Sequence, residues 1–188
     1  MHCTIKNFMK GWKKFMAKPL VLIVGKSGSG KTYLSKFLEH DYGMKMLNSY
    51  TTRPPRVNEK DGHIFISYED YVMLKNKVAT TYYHGNYYCA TKEQCEEADI
   101  YVIDPNGLKS FRNHYNGEKQ IKVVYLKVGW IIRLYRMMKR GDGVCNALKR
   151  IIYDYKAFSG VEAQSDIYVM KRNTVAKMAA EIFYKVMR

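Results

Sequence analysis

The fold of this chain is constrained most by a glycine-rich stretch between a run of apolar residues and an amphipathic segment. Residues 25–32 read GKSGSGKT and fit the pattern G-x-x-x-x-G-K-[ST] in full. The apolar run Leu20–Val24 precedes them, and Leu34, Phe37 and Leu38 follow at helical spacing. Glycines let backbone N–H groups approach a phosphate closely, and a helix N-terminus favours negative charge. The sequence therefore predicts a strand, a phosphate-binding loop and a helix that hold a nucleoside triphosphate.

Two residues at the end of this loop carry side-chain chemistry of their own. We expect the Lys31 ammonium to reach the β- and γ-phosphates and the Thr32 hydroxyl to bind Mg²⁺. Asp104 ends a predicted strand and is a candidate for a second metal contact. Because Asp before Pro-x-Gly is also a common turn sequence, a turn or helix-capping role for Asp104 stays open. The predicted ATP-binding residues are Gly25, Lys26, Ser27, Gly28, Ser29, Gly30, Lys31 and Thr32.

Beyond Pro19, short apolar runs alternate with segments of helical period. This alternation predicts an α/β chain with a mostly parallel sheet flanked by helices. The predicted strands are 20–24, 100–104 and 121–128, with a hairpin or small meander over 78–83 and 87–89. The predicted helices are 31–39, 69–75, 92–97, 107–115, 131–140, 146–158 and 175–187. Thr91 and Gln94 fit a capping box at the start of one of them.

Charge and composition limit the classes of protein that remain. The 188 residues fit one domain, and 32 Lys and Arg against 17 Asp and Glu give a net charge of +15, so we expect an anionic ligand, either a phosphorylated metabolite or nucleic acid. No apolar run approaches the ~20 residues that a membrane-spanning helix needs. Because Cys3, Cys89, Cys95 and Cys145 form no C-x-x-C pair, reduced thiols in a cytoplasmic protein are the simplest interpretation.

The first 18 residues differ from the rest of the chain. They carry five lysines and no acid, interleaved with aromatic and Met side chains at approximately helical spacing. This pattern predicts a basic amphipathic extension over 1–18, followed by one domain over 19–188. A solubilising terminus and a contact with a membrane surface, a nucleic acid or a partner protein both stay open. We expect its removal to leave the core activity intact.

Downstream of the loop, residues 49–62 read SYTTRPPRVNEKDG. Arg53 and Arg56 are two planar guanidiniums on a proline-stiffened loop, a spacing that suits bidentate binding of a phosphate dianion. With the phosphate-binding loop, this stretch resembles the guanylate kinase family, whose members carry S-x-T-T-R-x-P-R-x-x-E-x-x-G at this distance. The likeness continues through GNYY at 85–88, VIDPNG at 102–107 and RMMKRGD at 136–142, and covers about residues 20–188.

The resemblance implies a P-loop NTPase fold with a small β-rich part for a nucleoside monophosphate (NMP) at about 50–90 and a helical lid at about 133–150. It implies transfer of the ATP γ-phosphoryl to an NMP or deoxy-NMP, with ATP and Mg²⁺ as cofactors and small-molecule nucleotides as partners. The residues it assigns to the NMP are Ser49, Arg53, Arg56, Glu59, His63, Tyr88 and Asp104. The residues it assigns to catalysis are Lys31, Arg136, Arg140 and Arg150.

The helix predicted over 131–140 separates apolar from basic side chains. Its apolar face consists of Ile131, Leu134, Tyr135 and Met138. Its opposite face consists of Arg133, Arg136 and Arg140. These arginines are placed to point towards a ligand across a cleft, although a solvated basic face is an equally common arrangement.

Several positions depart from the family's pattern, and three of them lie in the acceptor-binding part. Ala79 falls where the family has the glutamate that holds the guanine edge, and Ala90 falls where it has a small hydroxyl residue. Neither alanine side chain can hydrogen-bond a base, so the resemblance favours a GMP-type acceptor while these positions leave base specificity open. His63 stands near the place of a phosphate-binding tyrosine, and either a phosphate ligand or an ordinary strand-edge residue fits it.

Two other functions stay open at this point. A non-catalytic binding module of guanylate-kinase-like fold agrees with the altered base-reading positions but not with the complete phosphate-binding loop. A nucleic-acid-associated P-loop ATPase agrees with the net charge, and its nucleic-acid binding would depend steeply on salt.

Overall fold

The computed structural model describes residues 18–55, 62–83, 85–170 and 174–187. The predicted extension up to residue 17, and the predicted NMP-binding residues Arg56 and Glu59, lie outside the described residues. The strands are β1 (Leu20–Val24), β2 (Ser49–Thr51), β3 (His63–Phe65), β4 (Lys77–Tyr83), β5 (Asn86–Thr91), β6 (Ile100–Val102), β7 (Ile121–Lys127) and β8 (Ile167–Met170). The helices are α1 (Lys31–Tyr42), α2 (Tyr68–Met73), α3 (Lys92–Glu97), α4 (Pro105–His114), α5 (Trp130–Lys139), α6 (Val144–Ala157) and α7 (Val175–Val186), with a 3₁₀ turn at Glu162–Gln164.

The central sheet is parallel throughout, in the order β6-β1-β7-β8. Every residue of β1 is buried, and its side chains alternate between two cores. Leu22 packs on one face with Leu108 and Phe111 of α4, whereas Ile23 packs on the other with α1 and α7. A strand that is apolar on both faces needs helices on both sides, so the predicted α/β class is confirmed.

A second sheet, also of four strands, has the order β3-β2-β5-β4. The predicted hairpin is confirmed as β4 and β5, which pair antiparallel on either side of Gly85. The predicted capping box is also confirmed, since Thr91 and Gln94 bond reciprocally at the start of α3. The sequence analysis did not predict β2, β3 and β8, because strands of three or four residues give little periodic signal.

Several element boundaries differ from those predicted: α1 continues to Tyr42 and does not end at residue 39, and β6 ends early. The strand predicted to reach Asp104 ends at Val102, because Asp104 is the N-cap of α4 and Pro105 is its first residue. The helix predicted from 146 begins at Val144, directly after Gly143 with φ +74°. These shifts leave the order of elements unchanged.

Helix α5 packs in the reverse of the usual amphipathic arrangement. Its basic face turns inward, with Arg133 4% exposed and Met137 fully buried, whereas Ile131 is 65% and Tyr135 64% exposed. The expectation that all its arginines face a ligand across a cleft is therefore wrong for Arg133, which lies buried against another helix. The reason is that the neighbouring loop and helix offer oxygen acceptors that satisfy guanidiniums better than an aliphatic surface does.

None of the helices that the structure describes is long and apolar enough to cross a membrane. Among the cysteines of the described ranges, Cys89 and Cys95 are buried and Cys145 is exposed, and all three are free thiols. The pKa of the Cys89 thiol is raised to about 11 by burial, so this thiol stays protonated and acts as a small apolar group.

Candidate functional site

The phosphate-binding loop joins the carboxyl end of β1 to the N-terminus of α1. Gly28 (φ +73°) and Gly30 (φ +96°) adopt the left-handed conformation that side chains disfavour. Gly25 is glycine for a different reason, because a Cβ atom there would lie 2.9 Å from the Leu126 carbonyl oxygen. The backbone therefore requires the glycines of the motif, and the amides of the first turn of α1 have no intrahelical partner.

The Lys31 side chain folds back onto this loop. Its Nζ donates to the Gly25 carbonyl at 2.6 Å. Burial lowers the pKa of Lys31 to about 8, and the nearby Asp154 carboxylate is the largest opposing influence. A buried ammonium gains when an anion arrives, so Lys31 is suited to bind phosphate. The buried Ser29 hydroxyl has no hydrogen-bond partner among the described residues, a cost that a bound polar ligand would relieve.

A cavity of about 320 Å³ opens in front of the loop, between the central and the second sheet. Its lining includes seven residues predicted from the sequence, namely Gly25, Ser27, Lys31, His63, Tyr88, Asp104 and Arg150. It also includes Thr81, Tyr83, Tyr153 and Asp154, which the sequence analysis did not single out. The two sheets thus bring the phosphate-binding loop and the proposed acceptor residues to one cavity.

Asp104 divides its carboxylate between two environments. Its Oδ1 accepts from the backbone N–H groups of Asn106 at 2.8 Å and Gly107 at 2.9 Å, which caps α4. The Thr81 hydroxyl donates to the same oxygen at 3.3 Å. The helix-capping interpretation is therefore confirmed, and Asp104 also lines the cavity.

His63 is held in place at the edge of the cavity. Its Nδ1 lies 3.0 Å from the Oγ of the buried Ser49, which pairs with it across β2 and β3. Its ring meets Tyr88 edge-on at 5.7 Å between ring centres. Ser49 does not itself line the cavity, so it orients the imidazole from behind.

Arg53 is turned away from the cavity towards its own loop. Its Nη1 donates to the Pro54 carbonyl at 2.9 Å, and its guanidinium lies over the Phe65 ring at 5.4 Å. It is not among the cavity-lining residues. Arg56 lies outside the described residues, so the predicted pair of phosphate-binding arginines stays a prediction.

The three predicted lid arginines have different surroundings. Arg136 donates through Nη1 to the carbonyls of Gly28 at 3.0 Å and Ser29 at 2.8 Å, so it contacts the phosphate-binding loop. Arg140 and Arg150 both bind Asp142, in the turn between α5 and α6. Arg150 lines the cavity, whereas Arg140 does not.

Asp154 is the functional candidate that sequence reasoning missed. It is 4% exposed on the inner side of α6 and accepts from the Ser27 backbone N–H at 2.7 Å. The signal that would have found it is its position seven residues after Ala147, two turns along the buried face of the helix. A carboxylate on a buried helix face requires partners, so an acid there indicates a nearby donor cluster.

The two alanines that depart from the family pattern face each other. Ala79 and Ala90 pair across β4 and β5, and they are 2% and 0% exposed within the apolar core. Neither lines the cavity. The two positions therefore contribute packing and no polar contact to a base.

Comparison with known proteins finds sequence relatives that are named guanylate kinase. No family profile matches the sequence. A guanylate kinase from Paraburkholderia xenovorans is 25% identical over 166 residues, which cover 82% of this chain and 73% of that protein. A guanylate kinase from Nitrosomonas europaea is 33% identical over 109 residues, which cover 51% of this chain and only 54% of that protein.

A solved structure has the same fold. The crystal structure of guanylate kinase from Anaplasma phagocytophilum matches with a TM-score of 0.58 and 20% identity, covering 91% of this chain and 86% of that one. At 20% identity this structural match is evidence for the fold alone. The evidence from sequence comes from the relatives described above. With the phosphate-binding loop and the second sheet that faces it, these matches make guanylate kinases the proteins that this chain resembles in sequence and fold.

Proposed function

We propose that this protein is an ATP-dependent nucleotide kinase that transfers the γ-phosphoryl group of ATP to a nucleoside monophosphate, with GMP as the first acceptor to expect. The observation that carries the proposal is the complete phosphate-binding loop opening onto the same cavity as His63, Tyr88 and Asp104. The relatives named guanylate kinase support the reaction class.

The reaction requires positioning and charge neutralisation more than covalent chemistry. The acceptor phosphate oxygen attacks the γ-phosphorus, the bond to the β-γ bridging oxygen breaks, and ADP and a nucleoside diphosphate leave. In this proposal Lys31 binds the β- and γ-phosphates through its ammonium. Arg136, Arg140 and Arg150 neutralise charge on the transferring group, and this requires Arg140 and Arg150 to exchange Asp142 for phosphate.

The acceptor binds, in this proposal, in the part at about 50–90. Its phosphate is held by Arg53, Arg56 and Tyr88, with His63 and Glu59 beside it. Arg53 has to rotate from Pro54 towards the cavity when the acceptor arrives. The segment at about 133–150 acts as the lid that excludes water, within one domain over 19–188.

The donor set fits Mg²⁺. No cluster of three or more His, Cys, Asp or Glu side chains within the described ranges could hold a metal ion. A nucleotide-bound Mg²⁺ does not need such a cluster, because phosphates and waters supply most of its ligands. The Thr32 hydroxyl and the Asp104 carboxylate are the protein groups that would hold it, and when bound it supplies charge neutralisation on the phosphates.

The test is formation of nucleoside diphosphate from ATP and Mg²⁺ across a panel of ribo- and deoxynucleoside monophosphates. We expect turnover with GMP and weak discrimination against other bases, because Ala79 and Ala90 offer no hydrogen bond. Lys31→Ala should lower kcat by ~100-fold or more, since it removes a charge that acts in the transition state. Bound ATP with no turnover on any acceptor would contradict the proposal and favour a binding module.

A further inference from the structure

Two charged side chains, one from α5 and one from α6, form an ion pair directly beside the phosphate-binding loop. Arg133 of α5 and Asp154 of α6 form an ion pair, with 3.1 Å between Nη1 and Oδ2. Both are almost completely buried, with side-chain exposures of 5% and 6%. The sequence analysis assigned neither of them to ATP binding, and their position next to the loop raises the question of what they do there.

Both residues hold the same residue of the loop. Asp154 accepts from the Ser27 backbone N–H at 2.7 Å and from the Ser27 hydroxyl at 3.3 Å. Arg133 donates from Nη1 to the Ser27 carbonyl at 3.3 Å. The peptide groups before and after Ser27 are therefore both bonded to the pair, which fixes the direction of two successive peptide planes.

The contact continues along the loop. A Cβ atom on Gly28 would lie 2.7 Å from the Arg133 carbonyl oxygen, so the backbone of α5 rests directly on the loop. The guanidinium of Arg136, one turn further along α5, bonds to the next two carbonyls of the loop. Three successive carbonyl groups of the loop, from residue 27 to residue 29, are thus bonded to arginines of α5.

Packing alone does not account for a buried ion pair. Desolvation of two charges costs several kcal/mol, and apolar side chains of similar volume are often as stable or more stable at such sites. The bonds of the pair to Ser27 offer another explanation for its presence.

We propose that Arg133 and Asp154 are positioning residues that preorganise the phosphate-binding loop for ATP by fixing the two peptide groups of Ser27. This inference rests on the proposed function for the identity of the ligand. A loop that is already ordered loses little conformational entropy when the triphosphate binds, whereas a loose loop has to be ordered at the expense of affinity.

Electrostatics and positioning predict opposite effects for Asp154. As a negative charge near the triphosphate, Asp154 opposes ATP binding, so removal of the charge by itself would increase affinity. A loss of ATP affinity on removal of this charge therefore reports the lost positioning. Measurement at pH 6.5 lies below the pKa of about 8 that Lys31 has in the wild type. Because Asp154 raises that pKa, a second titration at pH 5.5 favours protonated Lys31 in the variants that lack Asp154 as well.

The experiment is calorimetric titration of ATP without acceptor into the full chain and three variants. Asp154→Asn keeps the shape and removes the charge. The double variant Arg133→Met/Asp154→Leu has unchanged net charge and fills the same space with apolar atoms. Glu162→Gln is the matched control, because Glu162 pairs with Lys127 at 2.9 Å on the surface and acts on Lys26 of the loop only through its charge, so the variant removes a nearby negative charge without removing a bond to Ser27.

We expect ATP affinity to fall at least tenfold in Asp154→Asn and in the double variant, and to stay within twofold in Glu162→Gln. The double variant should keep its Tm within a few degrees of the wild type, which separates positioning from stability. Wild-type affinity in the double variant would overturn the inference, as would tighter binding by Asp154→Asn. If Asp154→Asn fails to fold, the double variant decides. A wild-type chain that does not bind ATP would overturn the proposed function as well.

Discussion

At the scale of single residues, Asp104 shows how one carboxylate serves two purposes. One oxygen caps α4 by accepting two backbone N–H groups and the Thr81 hydroxyl. Asp104 also lines the cavity, together with Lys31. The capping role needs only an acceptor oxygen, whereas metal or acceptor binding needs the negative charge.

Asp104→Asn separates these two roles. Because the amide oxygen of Asn is an equally good N-cap, we expect the free energy of unfolding to change by no more than about 0.5 kcal/mol. Loss of the charge should lower kcat at least tenfold in the assay of diphosphate formation. Asp104→Ala is the matched control and should lose about 0.5–2 kcal/mol of stability as well. Wild-type turnover in Asp104→Asn would restrict Asp104 to its capping role.

At the scale of elements, α5 shows that an amphipathic pattern does not say which face packs inward. The inward face carries Arg133, Met137 and Arg136, and its guanidiniums find acceptors in Asp154 and the loop carbonyls. Ile131 and Tyr135 lie on the exposed side. A helix ordinarily buries its apolar stripe. In α5 that stripe is exposed, and the face whose polar groups find partners is buried.

Substitutions on the two faces of α5 test this orientation. Met137→Ala should lower the free energy of unfolding by about 2–5 kcal/mol, because Met137 is fully buried. Ile131→Lys should change it by no more than about 0.5 kcal/mol, because the side chain is already 65% exposed. Urea unfolding followed by circular dichroism measures both. A large loss in Ile131→Lys would mean that this face is covered in solution.

At the scale of the whole molecule, the net charge of +15 is shared between the described fold and the N-terminal segment. Residues 1–17 carry four lysines and no acid, whereas Lys18 belongs to the fold through its ion pair with Asp99 at 3.2 Å. A protein that binds two anionic nucleotides and one that binds nucleic acid both benefit from a positive field.

Removal of residues 1–17 separates these contributions. We expect kcat and the KM for ATP to stay within twofold of the full chain, since the phosphate-binding loop and the described lining of the cavity begin at Gly25. Binding of single-stranded RNA, measured by fluorescence anisotropy between 50 and 200 mM salt, should weaken and lose salt dependence, because four phosphate-binding charges are removed. An inactive truncated chain would contradict the assignment of catalysis to 19–188.

Local sequence patterns were enough to predict the strand, loop and helix over 20–39, the α/β class and the β4–β5 hairpin. Each of these depends on residues that are close in sequence, where glycine conformation and hydrophobic period act directly. Resemblance to a family added the candidate residues of the cavity, of which His63, Tyr88 and Arg150 line it.

Which of these side chains contact one another depends on the packing of elements that are distant in sequence. The bond between Ser27 and Asp154 joins residues 127 positions apart, and no local pattern connects them. The inward turn of Arg133 follows from the acceptors that other elements supply, which the period of α5 does not contain. Periodicity shows how a helix divides into faces. Which face is buried depends on whether distant residues supply hydrogen-bond and ion-pair partners that offset the cost of desolvating charged groups.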